Sequence, residues 1–332
     1  SPSRYIVVVN AANTGKDWAW LKAVNECSVR IDDRRPWVHS SYQACLRNLH
    51  DPDESYSWLA DIALQGPRSR DILAAMLDAA PPSSAVLELR ARLMALKRAQ
   101  ILEARIPSER APGSVYDLLI TRTGYTGEPM SFEILAHPDI LETLWQELIE
   151  IGEPFGLTPI GLGARDSLRI EAGLPLYGHE LAGSLDLRPE DAGFAGYIKL
   201  HKAFFVGRQA YIEHAQTNKM ALVRFRIEET GVRVPKPHDI VTDNRGHVVG
   251  QVTSCAMDTA GHLTGLATVD QRQKERDTAL NILTRPTSEV WEKPYDDLSL
   301  GDRLVVPIRA KVVDRFWQKK KQQRKALNGS VG

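Results

Sequence analysis

Apolar residues recur along this chain with two different periods, and the places where the period changes mark its elements. The run Tyr5-Ile-Val-Val-Val9 is apolar and β-branched, which predicts a buried strand from Arg4 to Val9. Asn10 to Asn13 turns the chain. Thr14 is then placed to cap a helix that begins near Lys16 and carries Trp18, Leu21 and Val24 on one side. A short strand at Ile62 to Gln65 precedes a turn and an amphipathic helix written GPRSRDILAAML. Val86 to Ile106 reads as helical in part. Asp117 to Thr123 and Ser131 to Ala136 read as strands, and Pro138 to Ile151 carries Leu141, Leu144, Leu148 and Ile151 at helical spacing. Gly161 and Gly163 lead into a further helix, Ala164 to Ala172, with Leu168 and Ala172 one turn apart.

Near Thr217 the rhythm changes. Met220 to Ile227, Asp239 to Thr242, His247 to Thr253, His262 to Val269 and Arg303 to Val313 are short strands broken by Gly, Asn and Pro, without a long amphipathic helix between them. That spacing predicts a separate C-terminal β-barrel or sandwich. Before it, strands and helices alternate with antiparallel returns, so the class is α+β. Cys27 to Trp58 follows neither period; with Asp32-Asp33-Arg34-Arg35 and Asp51-Pro-Asp-Glu54 it reads as a solvated charged loop. The chain ends in FWQKKKQQRKALNGSVG, a basic tail that is ordinarily solvated, with docking on an acidic carrier protein as the second reading.

Composition narrows the function. The 332 residues suffice for a sizeable core and for two or three domains. Lys and Arg number 42 against 42 Asp and Glu, so no overall field points to nucleic acid or to a membrane surface as partner. Cys27, Cys45 and Cys255 show neither a zinc spacing nor a disulfide framework, which predicts a reducing compartment and no metal site. No run approaches the roughly 18 apolar residues of a membrane span, and the N-terminus lacks a signal-peptide pattern.

The densest chemistry lies between Thr121 and Gly178. Gly124 and Gly127 punctuate a turn between two extended segments and so present Tyr125, Glu128 and Glu133 from a fixed frame. Arg165 and Arg169 lie one helical turn apart. Two guanidiniums at that spacing repel unless carboxylates or a bound anion answer them, and Asp166, Glu171 and Glu133 are the candidates. For Glu133 and Arg165 two readings stand side by side, an ordinary buried ion pair joining strand to helix and a ligand site. From the residues alone, Asn10 and Asn13 are turn residues that cap the next element. His179 and Glu180 read as structural, with no metal spacing around them.

GYTGE with the following Phe132-Glu133, GLGARDSLRIEAGLPLYGHEL and KLHKAFFVGRQA resemble, in the same order, motifs of the glycine-cleavage T-protein (aminomethyltransferase) family, which includes folate-dependent demethylases. The resemblance runs from RYIVVVNAANTGKDWAWL through IALQGPRSRDIL to the C-terminal strands. It implies two interleaved α/β subdomains of the T-protein type followed by the barrel or sandwich. Residues 1–66 would be the remainder of the first subdomain, 67–216 the central folate-binding subdomain, 217–317 the barrel and 318–332 the basic tail. In the family a further segment precedes the Tyr5 strand, so the chain is expected to lack that first part.

What the resemblance implies about chemistry is specific. Tetrahydrofolate is the expected cofactor. Glu133 matches the glutamate that binds the pterin, whose ring N–H and exocyclic amino group one carboxylate can accept together. Arg165 matches the ligand-binding arginine of GARD, Tyr125 is placed to pack on the ring system, and Asn10 and Asn13 border the pocket. This chain has Pro129-Met130-Ser131 between GYTGE and Phe132, one residue more than the family's spacing. The family's catalytic aspartate lies in an Asp-Asp pair before the NAAN strand, whereas Asp32 and Asp33 follow it and carry no such role. The catalytic residue is therefore expected upstream of this chain. The implied reaction moves a one-carbon unit from an aminomethyl-lipoyl carrier protein, similar to an H-protein, to tetrahydrofolate and releases ammonia. The alternatives are an N-, O- or S-demethylase acting on a small methylated substrate, and a non-catalytic folate-binding or assembly subunit. The iron-sulfur-assembly branch is disfavoured, since KLHKAFFVGRQA has no Cys. The location implied is the cytoplasm in a bacterium or the mitochondrial matrix in a eukaryote.

Overall fold

A computed structural model describes residues 4–51, 58–108, 114–181, 187–285, 295–302 and 305–316. The chain divides into a continuous unit, residues 45–165, and a unit that joins 1–44 to 166–332. Arg4 to Val9 does not form the expected strand. No segment among the described residues pairs with it, and Tyr5, Val7 and Val8 are 80%, 66% and 71% exposed. An apolar, β-branched run is only half of a strand, because the ladder bonds come from a neighbour. α1 (Thr14–Asn25) forms where expected but buries no residue fully, and Trp20 and Leu21 are exposed. The charged loop that follows is more ordered than its composition suggests. Asp32 accepts from the backbone N–H of Arg34 (3.0 Å) and Arg35 (3.1 Å) and pairs with the Arg35 guanidinium at 2.8 Å, so the largely exposed loop contains a pinned turn.

In the continuous unit, β1 (Ala60–Gln65), β2 (Ile101–Pro107), β3 (Val115–Thr121) and β4 (Ser131–Ala136) make an antiparallel sheet in the order β1-β4-β3-β2. α2 (Ser69–Ala79), α3 (Ser84–Ala95) and α4 (Pro138–Gly152) pack with it. α2 places Ile72, Leu73, Met76 and Leu77 at three- and four-residue spacing, so one stripe enters the core. α3 starts at Ser83, whose hydroxyl accepts from Val86 N at 3.2 Å. Val86 to Ile106 thus splits into a helix and an edge strand. On β4, Phe132, Ile134 and Ala136 are buried in the core shared with the helices. Strand alternation turns the intervening Glu133 to the other face, beside Thr121 of β3 and Ala63 of β1. Burying a side chain such as Phe132 stabilises the fold by about 1.5–3 kcal/mol, so the register that aims Glu133 outward is strongly specified.

α5 (Leu162–Ala172) carries the chain onward, and α6 (Arg208–Thr217) precedes the C-terminal strands. β5 (Met220–Ile227), β6 (Ile240–Thr242), β7 (Val248–Met257), β8 (Leu263–Asp270), β9 (Ala279–Leu283) and β10 (Ile308–Val313) close into a barrel in the order β10-β5-β8-β7-β6-β9. Barrel or sandwich is thereby resolved as a closed barrel. β9 was not expected, although its alternation is plain: Leu280 and Ile282 point into the core with Phe225, Val241 and Val269. It closes the circuit between β6 and β10. Gly250 is required where β7 crosses β8, because a Cβ there would lie 1.9 Å from the Thr268 carbonyl oxygen. The strand expected from Arg303 starts at Ile308, and residues 303–304 and the basic tail 318–332 lie outside the described residues.

Candidate functional site

Glu133 sits on a central strand of the sheet, half-buried, between Ala63 of β1 and Thr121 of β3. Its Oε2 accepts from the Thr123 hydroxyl, which lies 2.5 Å from the Thr121 hydroxyl. Two threonines at the end of β3 thus hold one carboxylate oxygen, and Oε1 has no partner among the described residues. The turn that follows β3 is fixed by packing. A Cβ on Gly124 would come within 2.5 Å of Ser131 Cβ and 2.6 Å of Gln65 Nε2, so only glycine fits. Thr126 donates to Gln65 Oε1 at 2.5 Å, and Gly127 has a φ of 83°. The extra residue in Pro129-Met130-Ser131 is absorbed without freeing the turn: the Met130 carbonyl accepts from Gly66 N at 3.0 Å and from the Ser69 hydroxyl at 3.3 Å. Tyr125, in the same turn, is half-buried.

The two arginines of α5 have opposite surroundings. Arg169 is buried; its Nε donates to Asp166 Oδ1 at 2.7 Å and its Nη1 to Glu180 Oε2 at 2.9 Å. Glu180, fully buried at its side chain, also accepts from Leu176 N (2.7 Å) and from the Ser254 hydroxyl of β7 (2.8 Å). Glu180 is therefore structural, as its context suggested, and it answers Arg169 in place of Glu171. Glu171 instead accepts from Thr259, at 2.6 Å from the hydroxyl and 3.2 Å from the backbone N–H. Arg165 is exposed and makes no ion pair among the described residues; in particular it does not pair with Glu133. The buried-pair reading of Glu133 and Arg165 is excluded, and both charged groups keep capacity for a ligand.

Asn10 and Asn13 lie in the other unit. Asn10 Oδ1 accepts from Ala12 N at 3.0 Å and from Asn13 Nδ2 at 3.4 Å, so Asn10 caps the 3-10 turn Ala11–Asn13. Thr14 serves the same turn through its hydroxyl, which donates to the Ala11 carbonyl at 3.1 Å. Two further residues meet here that sequence reading passed over. Lys16 Nζ donates to the Tyr177 hydroxyl and lies 4.9 Å from the centre of its ring, and that hydrogen bond raises the lysine pKa above its ordinary value. A Cβ on Gly178 would lie 3.6 Å from Asn13 Nδ2, so the LYGHE segment runs past the NAAN turn. Its tyrosine was the available signal. Among the described residues no group of His, Cys, Asp and Glu is arranged to hold a metal ion.

Known proteins are similar to this chain over most of its length. Similar proteins include the aminomethyltransferase of Bacillus subtilis (strain 168), 34% identical over 287 residues that cover 85% of this chain and 67% of that protein. That of Caldanaerobacter subterraneus subsp. tengcongensis is 30% identical over 288 residues, 86% of this chain and 65% of that protein. The aminomethyltransferase of Symbiobacterium thermophilum is 36% identical over 255 residues, 76% of this chain and 57% of its own length. The chain thus spans about two thirds or less of the length of these relatives. The crystal structure of glycine cleavage system aminomethyltransferase T from Bartonella henselae shares the fold, with a TM-score of 0.61 over 93% of this chain and 69% of that one at 24% identity. The model of the GCVT N-terminal domain family matches residues 1–202, and the chain belongs to that family.

Proposed function

We propose that this chain binds tetrahydrofolate, with Glu133 accepting from the pterin edge, and that the protein is an aminomethyltransferase of the glycine-cleavage type. The observation that carries the reading is the state of Glu133: a half-buried carboxylate fixed by Thr123 through one oxygen, with acceptor capacity left on the other. Such a carboxylate suits two parallel N–H donors on a planar ring edge, since it has about four lone-pair directions and Thr123 uses one. Arg165 suits a ligand carboxylate, and the half-buried Tyr125 offers a ring for the pterin to pack on. Asn10 and Asn13, in the other unit, are candidates for folate by their place in the family motif alone, and the half-buried Asn13 keeps amide capacity beyond its bond to Asn10.

When bound, tetrahydrofolate supplies the nitrogen that receives the one-carbon unit. The chain's own contribution is to bind and orient: Glu133 fixes the ring edge, Thr121 and Thr123 fix Glu133, and Arg165 holds the acidic end. The donor is an aminomethyl group on a lipoylated carrier protein, and ammonia leaves; the names of the similar proteins support this choice over a free methylated substrate. No helix among the described residues is long and apolar enough to cross a membrane. The similar proteins named above are bacterial, which supports a cytoplasmic site of action.

The test is ammonia release by the purified protein from an aminomethyl-lipoyl carrier, with and without tetrahydrofolate. Folate-dependent release is expected, and Glu133→Gln should lower kcat/KM at least about tenfold, or about 1.4 kcal/mol. Turnover of a small methylated amine with none from the carrier would overturn the donor.

A further inference from the structure

A second concavity lies wholly within the unit that joins 1–44 to 166–332, and none of the residues assigned above to folate lines it. It encloses about 390 Å³ between the pinned turn at residues 30–35, Trp20 of α1 and the start of α6, a size within the range of small-molecule sites. One wall is apolar, built from Trp20, Phe204, Phe205 and Val206. The Arg35 guanidinium lies 5.4 Å from the centre of the Phe204 ring and is held there by Asp32.

Most charges around the cavity cancel. Asp32 answers Arg35, Glu213 lies 2.5 Å from Arg34, and Asp33 lies 3.8 Å from Arg30. Arg208 is the remainder. Its Nη2 donates to the Leu200 carbonyl at 3.0 Å, its Nε is buried with no partner among the described residues, and no described carboxylate pairs with it. Arg208 is thus the cavity-lining cation left without a carboxylate among the described residues, and a ligand anion would supply one. Arg208 is also the first residue of α6, a helix that opens after Gly207 without a side-chain cap. The N–H groups of Gln209 and Ala210, which also line the cavity, find no acceptor among the described residues. The partial positive charge of a helix start adds to that of the guanidinium.

We propose that this cavity binds a small anion with a flat apolar body, its carboxylate or phosphate on Arg208 and the first turn of α6 and its ring against Phe204 and Trp20. The site is independent of the folate reading. Neither part of the wall suffices alone: inorganic phosphate leaves the aromatic wall bare, and a neutral ring leaves the Arg208 charge unanswered.

The test is calorimetric titration of the whole chain, at low ionic strength, with phenyl phosphate, benzoate, inorganic phosphate and neutral benzyl alcohol. At least one aryl anion should bind saturably, one per chain and at least tenfold tighter than inorganic phosphate or benzyl alcohol; the tighter of the two identifies the head group. Ala210→Glu places a carboxylate in the first turn of α6, where it favours the helix. That variant should keep or raise the melting temperature while weakening the aryl anion at least tenfold. Arg208→Gln, confirmed folded by circular dichroism, should weaken it equally, and Glu133→Gln should leave it unchanged. Absence of saturable aryl-anion binding, equal affinity for benzyl alcohol, or undiminished binding by Ala210→Glu would overturn the proposal.

Discussion

Replacing Glu180 by alanine isolates the difference between the two arginines of α5. The change deletes three acceptor contacts, to Arg169 at 2.9 Å, Leu176 N at 2.7 Å and the Ser254 hydroxyl at 2.8 Å. It also leaves the buried Arg169 with Asp166, whose side chain is 49% exposed, as its one carboxylate and with the Leu174 carbonyl at 3.3 Å. Breaking a buried ion pair from one side costs about 3–5 kcal/mol, and the surviving Asp166 contact puts this case near the lower end, about 3 kcal/mol. Glu180→Gln is the informative partner. Its amide oxygen still accepts from Leu176 N and Arg169, and its amide nitrogen donates to Ser254, so only the charge is lost, about 1 kcal/mol. For a unit of this size each kcal/mol shifts the midpoint by about 2–4 °C, so the alanine protein should melt about 6–12 °C lower and the glutamine protein about 2–4 °C lower. Thermal melting by circular dichroism reads the shift. Hydrogen exchange on peptides from α5 and β7 shows whether the loss falls where the contacts are. If the alanine variant melts within about 1 °C of the parent, or the glutamine variant falls as far as the alanine one, Arg169 is not held as described here.

Three substitutions and one labelling experiment probe other parts of the molecule. Gly250→Ala should destabilise the barrel by about 1–3 kcal/mol or more, because the new Cβ meets a backbone carbonyl that cannot move aside, and urea unfolding reads it. Gly15→Ala, in α1 with nothing within 4 Å of its Cβ position, should instead gain up to about 1 kcal/mol in the same assay. The Asp270 carboxyl, held by the Arg272 side chain at 2.7 and 2.9 Å and by its backbone N–H, is lowered from 3.8 to about 2. Because the folded value is depressed, the stabilisation it brings is complete above 3.8 and lost as pH falls towards about 2. Arg272→Ala should move that titration upward when followed by NMR. Burial, with Asp239 adding to it, pushes the Cys255 thiol up to about 12, whereas Cys27 and Cys45 are exposed. Iodoacetamide at neutral pH should therefore label Cys27 and Cys45 and spare Cys255 until the protein unfolds, as intact mass and peptide mapping will show.

Legibility in the sequence followed locality. Ser131 to Ala136 is a strand with the same bounds in sequence and structure, because its alternation states the buried face residue by residue. α4 was equally plain, with leucines at helical spacing and Pro138 in its first turn. Arg4 to Val9 misled because β-branched residues report only a preference, while a strand requires a partner. β9 was passed over although Leu280 and Ile282 alternate, since five residues between charged segments are a weak pattern. The site divided in the same way. Spacing put Arg165 and Arg169 one turn apart but was silent on their burial, because the residues that bury Arg169 include Glu180 from the next segment and, through it, Ser254 from β7. The hydroxyls of Thr121 and Thr123 were likewise invisible as supports for Glu133 until the β3–β4 register placed them beside it.

The proposal that Glu133 and Arg165 serve a folate ligand is tested by direct binding, which does not require turnover. The parent chain would be titrated with tetrahydrofolate under reducing conditions beside Glu133→Gln and Arg165→Ala proteins shown by circular dichroism to be folded. Saturable binding by the parent, weakened at least tenfold in each variant, or about 1.4 kcal/mol, is the predicted result. A parent chain that does not bind, or variants that bind as tightly as the parent, would contradict it.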